Sequence, residues 1–152
     1  MAFFGLFSMR YRLVTPIFTG LGSCGIRVAQ VICRMKVLIA DDTDSVRFAL
    51  RLALEYLGHE VVGFAADGRE AIEKNQSLHP ELIVMDVRMP RMDGLTCTAE
   101  LSKSDPTARV VIVTGSRTTE SEAREAGARG FLEKPFDVSD LDRAIHGALA
   151  AA

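Results

Sequence analysis

Leu82-Ile83-Val84-Met85-Asp86-Val87-Arg88-Met89-Pro90 decides the fold. Four apolar residues in a row, bounded by turn formers, read as a short strand buried on both faces, as the middle of a parallel sheet requires. Asp86 ends the run. A carboxylate is costly to bury without a charge partner, so an acid at the tip of such a strand belongs at its carboxyl end, facing the crevice where open α/β sheets bind ligands. The alternative is local: Asp86 caps the turn Met89-Pro90-Arg91-Met92-Asp93-Gly94. This run alone leaves both readings open, and the other strands decide between them.

Upstream, Val37-Leu38-Ile39-Ala40 is a second apolar run that ends in acids, Asp41 and Asp42, with Asp44 just beyond. A helix follows, with Asp44 or Ser45 as N-cap and Gly58 as stop. Val46, Ala49, Leu50, Ala53, Leu54 and Leu57 fall on its inward face, while Phe48, Leu52 and Tyr56 form a second apolar stripe on the side expected to be polar. Glu60–Ala65 is the next strand, and a short helix over about 69–78 closes at His79-Pro80. Beyond the central strand, a helix is expected over about 94–102. Arg109–Val113 forms a fourth strand that delivers Thr114-Gly115-Ser116 to its end, and a short helix covers about 118–126. Phe131-Leu132-Glu133 forms a fifth strand, followed by Lys134-Pro135-Phe136 and a last helix from Val138 or Ser139 with Leu141, Ala144, Ile145, Ala148 and Leu149 inward. Five strands alternating with five helices imply an α/β fold, a parallel sheet covered on both faces. Asp41/Asp42, Asp86, Thr114 and Lys134 then stand at the carboxyl ends of four strands and converge on one cleft.

A chain of 152 residues has room for one domain and a short appendage. Its net charge of -2 gives no reason to expect nucleic acid as a partner. The charge is unevenly spread: residues 1–35 carry Arg10, Arg12, Arg27 and Arg34 and no acid, leaving 14 basic against 20 acidic side chains in the remainder, a net of -6. Residues 1–34 mix apolar residues with Gly, Pro and Arg and match neither a secretory signal nor a membrane span. They are expected to be a disordered extension or the translation of sequence upstream of the true start, with the domain occupying 35–152. Cys24, Cys33 and Cys97 are odd in number and fit no metal-ligand spacing, which points to inert thiols in a reducing, cytoplasmic compartment.

Three carboxylates side by side repel one another, and a hard divalent cation such as Mg²⁺ is the natural compensation. Cation, Lys134 ammonium and Thr114 hydroxyl together suit the equatorial oxygens of a phosphoryl group in transfer. Asp86 is then the nucleophile, since a carboxylate attacks phosphorus without a general base.

The chain from Met35 onward closely resembles the receiver domain of two-component response regulators, stand-alone and CheY-like. The resemblance rests on Asp41-Asp42, Asp86 with Met89-Pro90 and Asp93-Gly94, Thr114, and Lys134-Pro135-Phe136, in that order. It implies a flavodoxin-like, doubly wound sheet of strand order 2-1-3-4-5. It further implies Mg²⁺ held by Asp42, Asp86 and the backbone carbonyl of Arg88, with Asp41 acting partly through water. Asp86 accepts phosphate from a kinase phosphohistidine or a phosphotransfer protein, Thr114 and Lys134 contact the phosphoryl oxygens, and the Lys134-Pro135 bond is cis. Phe131 matches an aromatic switch position that, with Thr114, biases the helix 4–strand 5–helix 5 surface toward a downstream protein target. Arg88 and Ser116 occupy variable positions thought to tune phosphate lifetime. The chain is then no enzyme beyond Mg²⁺-dependent self-phosphorylation and self-dephosphorylation. It works without nucleic acid or membrane, as a monomer or a phosphorylation-dependent dimer, and Phe48, Leu52 and Tyr56 are its expected docking surface for the phosphodonor.

Two other classes compete. Haloacid-dehalogenase-like phosphohydrolases place a nucleophilic Asp after strand 1 with a second Asp two residues on, as Asp42-Thr43-Asp44 mimics, but have no use for Asp86. A receiver-like binding module that is not phosphorylated usually lacks an acid or the Lys, and none is missing here. Accumulation of phosphate on Asp86 separates the first reading from both.

Overall fold

The structure is a computed structural model, and it describes residues 34–151. The expected N-terminal extension, with Cys24 and Cys33, lies outside the described residues apart from Arg34. Ten elements alternate along the chain: β1 (Lys36–Ala40), α1 (Asp44–Tyr56), β2 (Glu60–Ala65), α2 (Gly68–Leu78), β3 (Leu82–Met85), α3 (Gly94–Ser104), β4 (Val110–Thr114), α4 (Glu120–Glu125), β5 (Gly130–Glu133) and α5 (Val138–Ala150). The strands form one parallel sheet in the order β2-β1-β3-β4-β5. This is the doubly wound, flavodoxin-like arrangement.

The apolar runs are strands because they are covered on both faces. Val37, Leu38, Ile39 and Ala40 of β1 and all of β3 and β4 are buried. Full burial of one such side chain contributes roughly 1.5–3 kcal/mol, so the three central strands dominate the stability of the domain. The helices add their own apolar stripes, Leu50 and Leu54 from α1 and Leu141, Ile145 and Ala148 from α5. Ala49, expected inward, lies at the margin of the α1 stripe and is exposed. Helix α1 begins earlier than either expected N-cap, Asp44 or Ser45: Thr43 is the N-cap and Asp44 is the first helical residue, its carboxylate paired with Arg47 one turn on. Gly58, with φ of +87°, ends α1 in a conformation open to glycine. Along β1, the pairing with β2 shifts between Val37 and Leu38: Val37 faces Val61 and Leu38 faces Gly63, so Val62 is an extra residue in the outer strand.

The turn after β3 is tied down on two sides. Gly94 N–H donates to the Val87 carbonyl at 2.8 Å, and a Cβ at Gly94 would lie 2.1 Å from the Asp86 carbonyl oxygen. Only glycine allows that approach. Toward α2, Gly68 N–H donates to the Met92 carbonyl at 3.1 Å and the Cys97 thiol donates to the Gly68 carbonyl at 3.2 Å. Asp67 caps α2 by accepting the Glu70 N–H at 3.0 Å, and its buried carboxylate forms an ion pair with Arg91, whose φ is +63°. Cys97 is the inert thiol expected, since burial pushes it up to about 12.

The hydrogen bond from Glu70 N–H, reinforced by Arg91, holds the Asp67 carboxyl below the usual carboxylate range against the opposing effect of burial. A depressed carboxylate stabilises the fold fully above its unfolded pKa of about 4, and that stabilisation disappears as pH falls through the lower folded value. Asp67→Asn is therefore expected to lose about 1–3 kcal/mol at pH 7. In urea titrations repeated across pH, the gap between wild type and variant should narrow below about pH 4.

Candidate functional site

Three polar side chains at the carboxyl end of the sheet are set by backbone bonds that continue the strand ladders past their last residues. Asp41 N–H donates to the Ala65 carbonyl of β2 at 3.0 Å, Asp86 N–H to the Ala40 carbonyl of β1 at 2.8 Å, and Lys134 N–H to the Thr114 carbonyl of β4 at 2.8 Å. Each of these residues is thus the first beyond a strand, with its main chain held by the neighbouring strand. Their side chains meet. Lys134 Nζ lies 3.2 Å from Asp41 Oδ2 and 3.3 Å from Asp86 Oδ1. Asp41 is buried, and its second oxygen accepts the Thr43 N–H at 2.9 Å. Asp42 is exposed at the rim, its Oδ1 accepting from the Thr43 hydroxyl at 3.2 Å.

Asp41, Asp42 and Asp86 each bring one carboxylate oxygen within 4.8 Å of the others, the one such acidic group of three among the described residues. Hard oxygen donors of graded exposure, one buried, one half-buried and one at the surface, fit a divalent cation that keeps several waters, such as Mg²⁺. Burial pushes the Asp86 carboxyl above its ordinary range; Lys134 opposes this and the Asp41 charge adds to it. The cluster opens into a cleft of about 470 Å³ lined by Asp41, Asp42, Asp86, Arg88 and Lys134, together with Thr43 and Gly115.

Thr114 does not line this cleft. Its side chain is buried, and its hydroxyl hydrogen-bonds to Ser116 Oγ at 2.7 Å; Gly115 stands at the wall instead. Its position at the end of β4 follows from the sequence. Its rotamer does not, because a hydroxyl is satisfied equally well by a neighbouring hydroxyl or by a ligand. Arg88 is exposed at the cleft mouth, and the Lys134-Pro135 bond is cis. Phe131 is half-buried, pairs with Ile112 across the β4–β5 ladder, packs against the core and lines a groove of about 360 Å³ with Leu132, Arg124, Arg129 and Arg143. Phe48, Leu52 and Tyr56 lie on the outward face of α1 at 60%, 51% and 83% exposure. Sequence reading missed Thr43 and Gly115 as wall residues, although their places directly after Asp42 and Thr114 were a usable signal.

The sequence profile of the response regulator receiver domain matches residues 37–146. The chain is 38% identical over 113 residues to the chemotaxis protein CheY of Thermotoga maritima, an alignment covering 73% of this chain and 94% of that protein. It is 42% identical over 117 residues to the transcriptional regulatory protein PdtaR of Mycobacterium tuberculosis, covering 76% of this chain and 57% of that longer protein. Among solved structures, the CheX–CheY–BeF3–Mg complex from Borrelia burgdorferi superposes with a TM-score of 0.72 at 27% identity, over 76% of this chain and 89% of that one. A two-component response regulator of the LuxR family from Aurantimonas gives a TM-score of 0.72 at 32% identity, over 77% and 86%.

Because Lys134 already neutralises two of the three carboxylates, it competes with any cation for them. Lys134→Met is expected to bind Mg²⁺ roughly three- to tenfold more tightly than wild type, as removal of one unit charge a few ångströms from a divalent ion implies. Calorimetric titration of both proteins with Mg²⁺ at fixed ionic strength checks this.

Proposed function

We propose a function on the premise that this chain belongs to the response regulator receiver family: Asp86 accepts a phosphoryl group from a phosphohistidine of a sensor kinase or phosphotransfer protein. One observation carries the reading. A single ammonium, Lys134 Nζ, is held between Asp41 and Asp86 at the mouth of an open cleft, with Asp42 alongside. In the reaction an Asp86 oxygen forms the new bond to phosphorus while the phosphorus–nitrogen bond to the imidazole breaks, its electron pair staying on the ring nitrogen, and an acyl phosphate results. Asp42, Asp86 and the backbone carbonyl of Arg88 would hold Mg²⁺, with Asp41 acting through water. Bound there, the ion offsets negative charge on the phosphoryl oxygens. Lys134 exchanges its contact with the Asp86 carboxylate for one with a phosphoryl oxygen, and Thr114 turns its hydroxyl toward another. The space that Thr114 vacates admits Phe131, which biases the surface of α4, β5 and α5 between two states read by a downstream protein. The chain's own chemistry is limited to gaining and losing this phosphate.

The phosphohydrolase reading is disfavoured by Asp44. A catalytic second acid would face the cleft, whereas Asp44 is almost fully exposed, pairs with Arg47 and is absent from the cleft wall. For the phosphodonor's docking site, the Phe48–Leu52–Tyr56 stripe is supported by its exposure and by its place on the helix that begins two residues after Asp42. A helix of the donor with apolar residues at matching spacing suits this stripe. No described helix is long and apolar enough to cross a membrane.

Asp86→Asn is expected to abolish labelling by a phosphodonor with the fold intact, since an amide is a far poorer nucleophile and metal ligand. Undiminished labelling of the variant would sink the assignment. Phe48→Glu with Leu52→Glu should slow transfer from the cognate kinase roughly tenfold or more, while labelling by a small-molecule phosphodonor is unchanged. Equal slowing with both donors would place the stripe in the fold rather than in docking.

A further inference from the structure

The end of β4 runs into α4 through three hydroxyl residues spaced by two. Thr114 Oγ1 accepts the Ser116 N–H at 3.0 Å and shares a hydrogen bond with Ser116 Oγ at 2.7 Å. Ser116 Oγ in turn lies 2.8 Å from Thr118 Oγ1. Thr118 directly precedes Thr119, the N-cap of α4, whose position is fixed by a capping box with Glu122. Thr114, Ser116 and Thr118 are buried or half-buried, while Gly115 between them lines the cleft. A continuous line of hydroxyls therefore leads from the end of β4, beside the cleft, to the residue before the N-cap of α4.

A hydroxyl has one proton to donate. Phosphoryl oxygens only accept, so a Thr114 that serves them must give them that proton. Whichever of the two hydroxyls donates in the Thr114–Ser116 bond, a Thr114 that turns toward the cleft leaves both that bond and the Ser116 N–H. We infer that Ser116 is a positioning residue whose hydroxyl holds Thr114 away from the Asp86 cleft, so that the phosphoryl group must compete with it for Thr114. The inference rests on the reading of Asp86 as phosphoacceptor and concerns the regulation of that site. Once Thr114 turns, Ser116 Oγ keeps only Thr118 as a partner, and the change is handed to the start of α4. The strength of the Thr114–Ser116 bond thus sets how far the resting chain lies from its signalling arrangement. Thr118 acts one step back, by fixing Ser116.

The test uses the full chain with beryllofluoride and Mg²⁺ as the phosphoryl mimic, and reads both affinity and backbone amide NMR positions. Ser116→Ala, which keeps the backbone N–H to Thr114, should bind the mimic roughly three- to tenfold more tightly, the range expected for loss of one competing hydrogen bond. In its unliganded spectrum the amides of Gly115 and Thr119 should move toward their mimic-bound positions. Ser116→Thr restores a hydroxyl and should match wild type. Thr118→Val should give a smaller shift of the same sign, and none when added to Ser116→Ala; it also serves as the second variant if Ser116→Ala loses its cooperative melt. Unchanged or weaker binding by Ser116→Ala, with wild-type binding intact, overturns the inference, as does an undiminished Thr118→Val effect in the Ser116→Ala background. Failure of the wild type to bind the mimic, or equal binding by Asp86→Asn, overturns the phosphoacceptor reading itself and the inference with it.

Discussion

Two carboxylates share one ammonium at the end of an apolar sheet, and the geometry of the chain is arranged around that contact. Asp41 follows β1 and Asp86 follows β3, neighbours in the sheet, while Lys134 follows β5, on the far side of β4. Adjacent strands are about 4.8 Å apart, so the cation has to cross the end of β4 to reach its partners. Only a long side chain does so. It runs beside Gly115, where a Cβ would be in ordinary van der Waals contact, 3.7 Å from Lys134 Cβ and 3.8 Å from Lys134 Cδ. A buried carboxylate without this ammonium would be strongly disfavoured, and the paired arrangement leaves the third acid, Asp42, at the exposed rim with the Thr43 hydroxyl.

Two connections lead away from Asp86, and they differ in kind. The turn through Gly94 meets the start of α2 by a backbone bond, a thiol and a buried ion pair, all closely packed against glycines. Rearranging it would strand the Asp67 charge, so this side is a fixed frame. The segment from Thr114 to Thr118 is joined by hydroxyls, each able to donate or accept. Of these two connections, the hydroxyl chain is the one that offers equivalent alternatives to the bonds it would break.

Much of this was legible in the chain. Runs of β-branched and aliphatic residues ending in Asp41, Asp86 and Thr114, each separated by a helical period, admit few topologies, and the observed strand order is the one that the receiver resemblance implied. Side-chain direction was less accessible. Thr114 was placed on the right strand end, but its turn toward Ser116 depends on a contact between two small polar groups that no periodicity encodes. The Asp67–Arg91 pair joins residues on different loops, and Ala49 falls where a helical stripe ends, a margin that sequence leaves to tertiary packing.

The irregular pairing of β1 with β2 has a bearing on how the molecule behaves at high concentration. Among the described residues the sheet has two open sides, and β2, at six residues, is longer than β5 at four. An unpaired outer strand is a template on which another chain can add. The extra residue at Val62 breaks the even spacing of donors and acceptors and increases the local twist, while Glu60 places a charge at the strand's start. An incoming strand could match only part of that edge before losing step, and so the longest exposed backbone in the sheet is a poor seed for aggregation.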